Sequence, residues 1–317
     1  MDTRVAPFVA NTELRGFDLA SWSSRHLHNI ERALEAWVTA DAPAGLGQEA
    51  TAELVRAMRY AVLDGGKRLR PLLVLAACEA VQGNQRGAMR AACAAELIHA
   101  YSLVHDDMPC MDNDVLRRGK ATVHVRFGEA VALLAGDALQ ALAFALLTPE
   151  DVEVPAAMQA DLCRLLARAA GSAGMAGGQA IDLASVGCSL SEEQLRTMHQ
   201  LKTGALLQGS VLMGAACGAP TTTQLAALAA YGAAIGLAFQ VVDDILDVTA
   251  ESAALGKTAG KDALANKPTY VSVLGLDRSR AYARELLEDA VRALSCSGLP
   301  APQALRALAD MVVNRSH

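Results

Sequence analysis

The stretch HDDMPCMDNDVLRRG (residues 105–119) holds four aspartates within nine residues: Asp106, Asp107, Asp112 and Asp114. Apolar, alanine-rich sequence flanks it on both sides. Like charges repel one another, and ionised carboxylates resist transfer out of water. An acidic helix end exposed to solvent would account for one such cluster. A cluster at the end of a helix that otherwise reads as buried instead indicates a bound cation.

A second acidic stretch, FQVVDDILD (residues 239–247), ends another apolar helix and carries Asp243, Asp244 and Asp247. Residues four apart share a helix face, so Asp243 and Asp247 should point the same way. Carboxylate oxygens suit Mg²⁺, which commonly takes its other ligands from water and substrate phosphates. Two acidic clusters at the ends of two apolar helices therefore predict facing walls of one cavity.

Local spacing predicts how the first cluster is arranged. His99 lies seven residues before Asp106, which places the two on one face of a helix. Pro109 interferes with regular helix, so the chain should bulge and bring Asp112 back towards Asp106. His99 could also be an ordinary core histidine, but its alignment with Asp106 favours a ligand.

Basic residues accompany the acidic clusters. GGKRLRP (residues 65–71) supplies Lys67, Arg68 and Arg70, but it is not a P-loop, because position 61 is alanine and arginine follows the lysine. Each lysine taken alone would be read as a solvated surface charge. Together with the aspartates they predict one diphosphate held through Mg²⁺ and a second held directly by Lys and Arg. The remaining candidates are Arg117, Arg118, Lys202, Lys257 and Lys267.

The bulk composition favours a helical protein of the cytoplasm. The chain has 317 residues, of which 52% are hydrophobic and only 4% aromatic, and its net charge is −6. Close-packed helices suit this composition, and nucleic acid is not an expected partner. Seven scattered cysteines without a CxxC pair indicate reduced thiols, and the start lacks a signal-peptide pattern. We expect no membrane span, because Asp137 and Gln140 interrupt the apolar stretch around them.

Helical periodicity dominates from about residue 21 onward, and no useful alternating strand is found. We predict a loose N-terminal extension over residues 1–20 and one all-helical domain over 21–317. After a helix around 23–38, the predicted helices are 48–64, 68–82, 85–107, 128–148, 156–175, 191–217, 222–249, 277–296 and 302–315.

Five motifs in this order resemble those of the trans-prenyltransferases that make linear isoprenyl diphosphates, particularly bacterial farnesyl diphosphate synthases. They are GGKRLRP, HDDMPCMDNDVLRRGK, GMAGGQAIDL, LKTGALLQGS and FQVVDDILD followed by LGK. The resemblance runs from about Arg59 to the C-terminus and departs at Val115, where relatives often carry another acid. It implies an all-α bundle of ten or more helices around a deep central cavity, usually in a homodimer.

The resemblance also implies a reaction and roles for the residues. Dimethylallyl and then geranyl diphosphate would ionise and condense with isopentenyl diphosphate, with Mg²⁺ as cofactor, three ions per site, replaceable by Mn²⁺. Asp106, Asp112 and Asp243 would hold the metal, supported by Asp107 and Asp247. Arg117, Lys202, Thr203, Gln240 and Lys257 would act on the allylic substrate. Lys67, Arg70, His99 and Arg118 would bind isopentenyl diphosphate, and Gln179 and Asp182 are weaker candidates for an outer role.

Product length is expected to depend on Tyr101 and Ser102, five and four residues before Asp106. A phenol ring at Tyr101 would lie roughly 7–8 Å along the helix from Asp106 and close the cavity floor. Tyr101 could also be an ordinary core aromatic. The prediction is a C15 product, with C10 and C20 as alternatives. A terpene cyclase, a non-catalytic partner subunit and a plain helical scaffold are the other readings, and the paucity of aromatics and the two intact aspartate motifs disfavour them.

Overall fold

The computed structural model describes residues 16–39, 48–63, 65–150, 152–249 and 268–315. Helices make up nearly all regular structure in these ranges, which confirms the expected all-α fold. In chain order they are α1 (Leu19–Trp37), α2 (Gln48–Val62), α3 (Leu69–Ala80), α4 (Gln85–Asp106), α5 (Val123–Phe127), α6 (Glu129–Leu147), α7 (Ala156–Ala170), α8 (Met175–Ala184), α9 (Glu192–His199), a π-helix (Gln200–Gly204), α10 (Ala205–Ala216), α11 (Thr222–Thr249), α12 (Tyr270–Leu274), α13 (Leu276–Ser295) and α14 (Gln303–Asn314).

Three helices, α3, α4 and α10, form the centre of the bundle. They pack against one another and are buried on nearly every side. Alanine dominates the buried part of α4, where residues 91–95 are wholly inaccessible to solvent. Small side chains allow the backbones of neighbouring helices to approach closely, so this centre can be rigid without aromatic residues. A rigid α4 gives Asp106, at its C-terminal end, a fixed position.

Two helices, α6 and α11, are long and apolar enough to cross a membrane by length and composition alone. α11 packs against α10 and α13, and more than half of its most apolar part is buried. α6 packs against α4 and α2, but Leu133 and Leu134 remain exposed on its outer face. Both helices therefore serve as bundle elements, and α6 also presents an apolar surface.

A two-stranded hairpin follows the first acidic stretch. β1 (Leu116–Arg117) pairs antiparallel with β2 (Lys120–Ala121), so Arg117 lies opposite Lys120. The two residues of its turn, Arg118 and Gly119, both have positive φ, at 52° and 76°. Such turns match the natural twist of a hairpin. The turn reverses the chain and returns Arg117 to the end of α4.

Several boundaries differ from the sequence predictions for local reasons. The helix predicted over 156–175 ends at Ala170, because Gly171 leaves the helical conformation. The helix predicted over 191–217 contains the π-helix at 200–204. The short helices α5 and α12 lie outside the predicted ranges, since five residues carry too little periodicity. α1 begins at Leu19, inside the predicted extension, and residues 1–15 lie outside the described ranges.

Candidate active site

A cavity of about 390 Å³ opens between α3, α4, α8 and the π-helix. Its polar lining includes Arg70, His99, Asp106, Lys202 and Thr203. All five are among the residues that the sequence singles out. Four of them come from three separate motifs, and His99 precedes the first acidic stretch on α4. The alignment expected of His99 and Asp106 is therefore found, with both at the same cavity wall. The apolar lining includes Leu103, Met111, Met175, Ala176, Ala180 and Leu183.

The first acidic stretch folds back on itself after α4. The amide of Asp112 donates to the carbonyl of Asp106 at 2.9 Å, and that of Asp114 donates to the carbonyl of Asp107 at 3.1 Å. Asn113 between them has a φ of 51°. Asp112 therefore lies beside Asp106, which is the bulge that Pro109 predicts. Burial raises the pKa of Asp106 to about 6; Lys202 opposes this shift, and Asp112 adds to it.

Asp107, the second member of the doublet, does not line this cavity. Its side chain is 4% exposed and accepts from Arg117 with both oxygens, at 2.6 to 3.0 Å. A planar guanidinium that binds a carboxylate in this two-pronged way has a fixed orientation. Asp107 and Arg117, expected to act on metal and substrate, are thus engaged with each other and anchor the hairpin to α4.

The second doublet is divided in a similar way. Asp243 is 40% exposed at its side chain and accepts from Arg315 at 2.7 Å, near the C-terminal end of the chain. Asp244 is 2% exposed and accepts from the Gln240 amide at 2.9 Å and from the backbone nitrogen of Tyr270 at 2.7 Å. Asp247 is 4% exposed, so it is more buried than Asp243, although spacing puts them on one helix face.

The π-helix carries Lys202 and Thr203 at the cavity wall. Lys202 Nζ donates to Asp182 Oδ2 on α8 at 2.5 Å, and Thr203 donates to Gln240 Oε1 at 3.0 Å. α8 can approach this closely because a Cβ on Gly178 would collide with the backbone nitrogen of Lys202. Asp182, which was expected to act without touching the substrate, holds Lys202 in this ion pair. Gln179 also lines the cavity, and its side-chain amide has no hydrogen-bond partner among the described residues.

A group of cationic side chains lies at the N-terminal end of α3. Burial lowers the pKa of Arg70, Glu96 and Asp243 oppose that shift, and its Nε has no hydrogen-bond partner within the described ranges. Arg118 donates to the carbonyl of Gly65 at 2.9 Å and packs against Gly66.

Two further groups near this end of α3 have lowered pKa values. Burial and, to a smaller extent, Arg315 lower the pKa of Lys67, while Asp243 raises it. Burial and the nearby Arg70 hold the pKa of His99 well below its ordinary value, so this ring is neutral.

Tyr101 and Ser102 lie on the wall of the same cavity, one turn before Asp106 on α4. The ring of Tyr101 meets that of His105 edge to face, with centroids 5.7 Å apart. His105 in turn contacts the carbonyl of Leu133 on α6 at 3.1 Å. Gly136 makes room for this ring, because a Cβ there would collide with it. Tyr101 is therefore supported from α6.

Two predicted site residues have no described position, and two residues near the site were not predicted from the sequence. Lys257 and Lys267 lie outside the described residues. Sequence reasoning missed Arg315 and His199, because no motif marks them. His199 lines a small cavity of about 80 Å³. The other lining residues are Asp182, Lys202, Gln240, Asp244, Pro268 and Thr269.

The acidic groups have the donor chemistry that Mg²⁺ prefers. Asp106 and Asp112 bring two carboxylates together beside a partly buried cavity, where a cation would offset their repulsion. Within the described ranges, no three acidic, histidine or cysteine side chains are grouped so as to hold a metal on their own. Mg²⁺ commonly completes its shell with water and phosphate, so the residues fit this ion.

Comparison with known proteins agrees with the fold and the motifs. Residues 51–298 match the polyprenyl synthetase family, and the chain belongs to that family. It is 47% identical over 295 residues to a probable farnesyl diphosphate synthase of Bradyrhizobium diazoefficiens, covering 92% of this chain and 85% of that protein. It is 44% identical over 304 residues to geranylgeranyl pyrophosphate synthase 4 of Arabidopsis thaliana, covering 95% and 79%.

A solved structure resembles the whole bundle. It is a geranyltransferase of Helicobacter pylori complexed with magnesium and isoprenyl diphosphate, with a TM-score of 0.80 and 33% identity, covering 94% of this chain and 97% of that one. These comparisons make the chain a short-chain prenyltransferase that elongates isoprenyl diphosphates. The relatives carry the names of both farnesyl and geranylgeranyl diphosphate synthases.

Proposed function

We propose that this protein is a farnesyl diphosphate synthase. It joins isopentenyl diphosphate to dimethylallyl diphosphate and then to geranyl diphosphate, and releases a C15 product. The observation that carries the proposal is one cavity with Asp106 and Lys202 at its polar wall and Tyr101 one turn along the same helix. Carboxylates, cations and an apolar lining of this kind suit a substrate with a diphosphate head and a hydrocarbon tail.

The allylic diphosphate binds between the two acidic stretches. Asp106, Asp112 and Asp243 would hold Mg²⁺, which supplies positive charge that stabilises the departing diphosphate. Lys202 lies close enough to Asp106 to lower its pKa and is held by Asp182. Its ammonium group therefore stands where negative charge builds up as the bond to the allylic carbon breaks. The Thr203 hydroxyl and the Gln240 carbonyl oxygen, joined at 3.0 Å, present oxygen atoms towards the allylic cation.

Isopentenyl diphosphate binds at Lys67, Arg70, His99 and Arg118. Arg70 has a buried Nε without a hydrogen-bond partner in the described part of the chain, which is costly unless an anion binds. The double bond of isopentenyl diphosphate attacks the allylic carbon and forms the new carbon–carbon bond. A proton then leaves the adjacent carbon, and the released diphosphate accepts it. Met175, Ala180 and Leu183 give the cavity an apolar wall, which disfavours water near the cation.

The side chain of Tyr101 supports the C15 assignment. It lies one turn from Asp106, so it meets the tail of an allylic substrate whose head is at the aspartates. His105 and α6 support the ring from behind, which makes a firm floor. Geranylgeranyl diphosphate synthase is the second candidate, because a relative at 44% identity bears that name.

One assay tests both the proposed reaction and the chain length of its product. The protein is incubated with Mg²⁺, isopentenyl diphosphate and dimethylallyl diphosphate, and the dephosphorylated products are separated by chromatography. We expect C15 from the wild type, and C20 or longer from Tyr101→Ala at the same substrate ratio. A fully active Tyr101→Ala variant that still makes C15 would contradict the assignment of Tyr101 as the floor. Cyclic products would favour a terpene cyclase instead.

We also propose that the enzyme is a cytoplasmic homodimer. Leu133 and Leu134 lie exposed on α6, 47% and 54% accessible, and a second copy could cover them. Bacterial relatives and solved structures support a soluble enzyme. Sedimentation of the wild type, compared with Leu134→Glu, tests the dimer: a monomeric wild type would refute it.

A further inference from the structure

Arg68 stands between two residues assigned to isopentenyl diphosphate, yet its side chain turns away from them. It is 3% exposed at its side chain. Its Nη1 donates to Glu96 on α4 at 2.7 Å, and its Nη2 donates to the carbonyl of Val62 on α2 at 2.6 Å. Its Nε donates to Glu31 on α1 at 2.7 Å. One guanidinium therefore ties α1, α2 and α4 to the start of α3.

The backbone of Arg68 makes this anchor necessary. Its φ is 46° and its ψ is 37°, a left-handed conformation that side chains other than glycine adopt at a cost. Such a conformation persists only where the surroundings hold it. The three acceptors of the guanidinium supply that constraint. They fix the point at which the chain turns between Lys67 and Arg70.

The hydrogen bonds of Arg68 also involve residues close to the rest of the proposed isopentenyl diphosphate site. Glu96 lies one turn before His99 on the same face of α4. Glu31 and Glu96 neutralise Arg68, so Lys67, Arg70 and Arg118 are left as the positive groups that face an anion. Arg118 holds the opposite side of the same turn through the carbonyl of Gly65 at 2.9 Å.

We propose that Glu31, through Arg68, is a positioning residue for the non-allylic diphosphate. Glu31 lies on α1, outside the segment that matches the family, and its carboxylate fixes the turn that presents Lys67 and Arg70. The inference rests on the proposed function, since it assigns Glu31 to the isopentenyl diphosphate half of that site.

The test compares Glu31→Gln with Glu35→Gln in the full-length protein. Glu35 lies one turn further along α1, is 70% exposed at its side chain and is 3.9 Å from Arg59. We expect Glu31→Gln to raise the KM for isopentenyl diphosphate about tenfold, as for loss of a charged hydrogen bond. The KM for geranyl diphosphate should change less than about twofold. Glu35→Gln should leave both constants unchanged.

Arg68→Lys provides a second, independent variant. It keeps the charge but cannot bind Glu31, Glu96 and Val62 together, because lysine lacks the planar fork. We expect a similar selective rise in the KM for isopentenyl diphosphate. A normal KM in Arg68→Lys would mean that charge alone matters and would overturn the anchoring role.

Other results would also overturn the proposal. An unchanged KM in Glu31→Gln, or equal increases for both substrates, would reduce Glu31 to a purely structural residue. Partial unfolding does not obscure the test, because KM does not depend on the active fraction. If the wild type makes no elongated product, the proposed function fails. Binding of inorganic diphosphate, measured by calorimetry, then tests the anchor: equal affinity in wild type and Glu31→Gln would refute it, and weaker affinity in the variant would support it.

Discussion

The two aspartate doublets have the same sequence but different surroundings. In the first, Asp106 faces the cavity and Asp107 binds Arg117 with both oxygens. In the second, Asp243 is half-exposed beside Arg315, and Asp244 is buried under Gln240 and Tyr270. In each doublet the first carboxylate is the one that we propose for metal binding, and the second is held by hydrogen bonds within the fold.

The doublets differ in what restrains them. The first is restrained by its own loop, since the amides of Asp112 and Asp114 bond back to Asp106 and Asp107. The second depends on distant segments, because Tyr270 and Arg315 come from the C-terminal part of the chain. The first doublet is therefore formed locally, whereas the second requires the bundle to be complete.

The largest effect should come from Asp106→Asn. We expect turnover to fall by at least about a thousandfold, because a carboxylate that would hold the metal is lost. Burial raises the pKa of Asp106 to about 6, above its ordinary value of 3.8, so the ionised carboxylate destabilises the fold at neutral pH. Without metal, the variant should therefore unfold at the same or a higher temperature, with up to about 3 kcal/mol gained. Steady-state kinetics and thermal unfolding in EDTA measure the two effects.

Asp107→Ala is the matched comparison within the doublet. Burial raises the pKa of Asp107 as well, but Arg117 opposes that shift through two-pronged hydrogen bonds. Removal of the carboxylate leaves Arg117 without this partner, so the melting temperature should fall. A variant of Asp106 that loses stability together with activity would contradict the division of roles.

The sequence predicts contacts between residues that are close along the chain better than contacts between distant segments. The return of Asp112 to Asp106 follows from Pro109 and from spacing alone, and the structure agrees. The resemblance also singles out Lys202, Thr203 and Gln240. The first two line one cavity, and Thr203 donates a hydrogen bond to Gln240. By contrast, the partners of Arg117 and Asp243 depend on the hairpin turn and on the C-terminal end, which periodicity does not describe. The π-helix over 200–204 is likewise invisible to a pattern based on 3.6 residues per turn.

The next effect concerns the structural member of the second doublet. Asp244→Ala should lower the free energy of unfolding by about 3 kcal/mol, because the Gln240 amide and the Tyr270 backbone nitrogen lose their acceptor in a buried site. Urea denaturation measures the loss. Asp243→Ala is the control: its partly exposed ion pair should contribute less than about 1 kcal/mol, although its turnover should fall by orders of magnitude. Equal destabilisation by the two variants would remove the distinction.

A buried histidine next to Asp244 makes this side of the molecule sensitive to acid. His199 packs on Tyr270 with ring centroids 5.5 Å apart, and burial, opposed by Asp182, lowers its pKa from 6.5 to about 4. The unfolded chain therefore binds a proton below about pH 6.5 that the folded protein rejects until about pH 4. Stability should fall through this window by up to about 3 kcal/mol. His199→Phe should flatten the fall in melting temperature between pH 6.5 and 4; the same slope in both proteins would exclude His199 as its source.

The smallest expected effect concerns the direct ion pair between Asp243 and Arg315. Arg315 donates to Asp243 at 2.7 Å and to the carbonyl of Phe239 at 2.8 Å, and it lies over the Phe239 ring at 3.9 Å. A metal that binds Asp243 must compete with this guanidinium. Because Asp243 is 40% exposed, solvent screens the pair and its contribution should stay below about 1 kcal/mol. Arg315→Gln should therefore lower the Mg²⁺ concentration that gives half-maximal rate by about two- to fivefold.

Arg306→Gln is the control. Arg306 lies on α14 and donates to Ser295 Oγ, so its replacement removes a charge from this helix but keeps the pair between Arg315 and Asp243, and the Mg²⁺ requirement should stay unchanged. A higher Mg²⁺ requirement in Arg315→Gln would instead mean that Arg315 helps to hold Asp243 in place for the metal, and the two doublets would then differ in geometry rather than in competition.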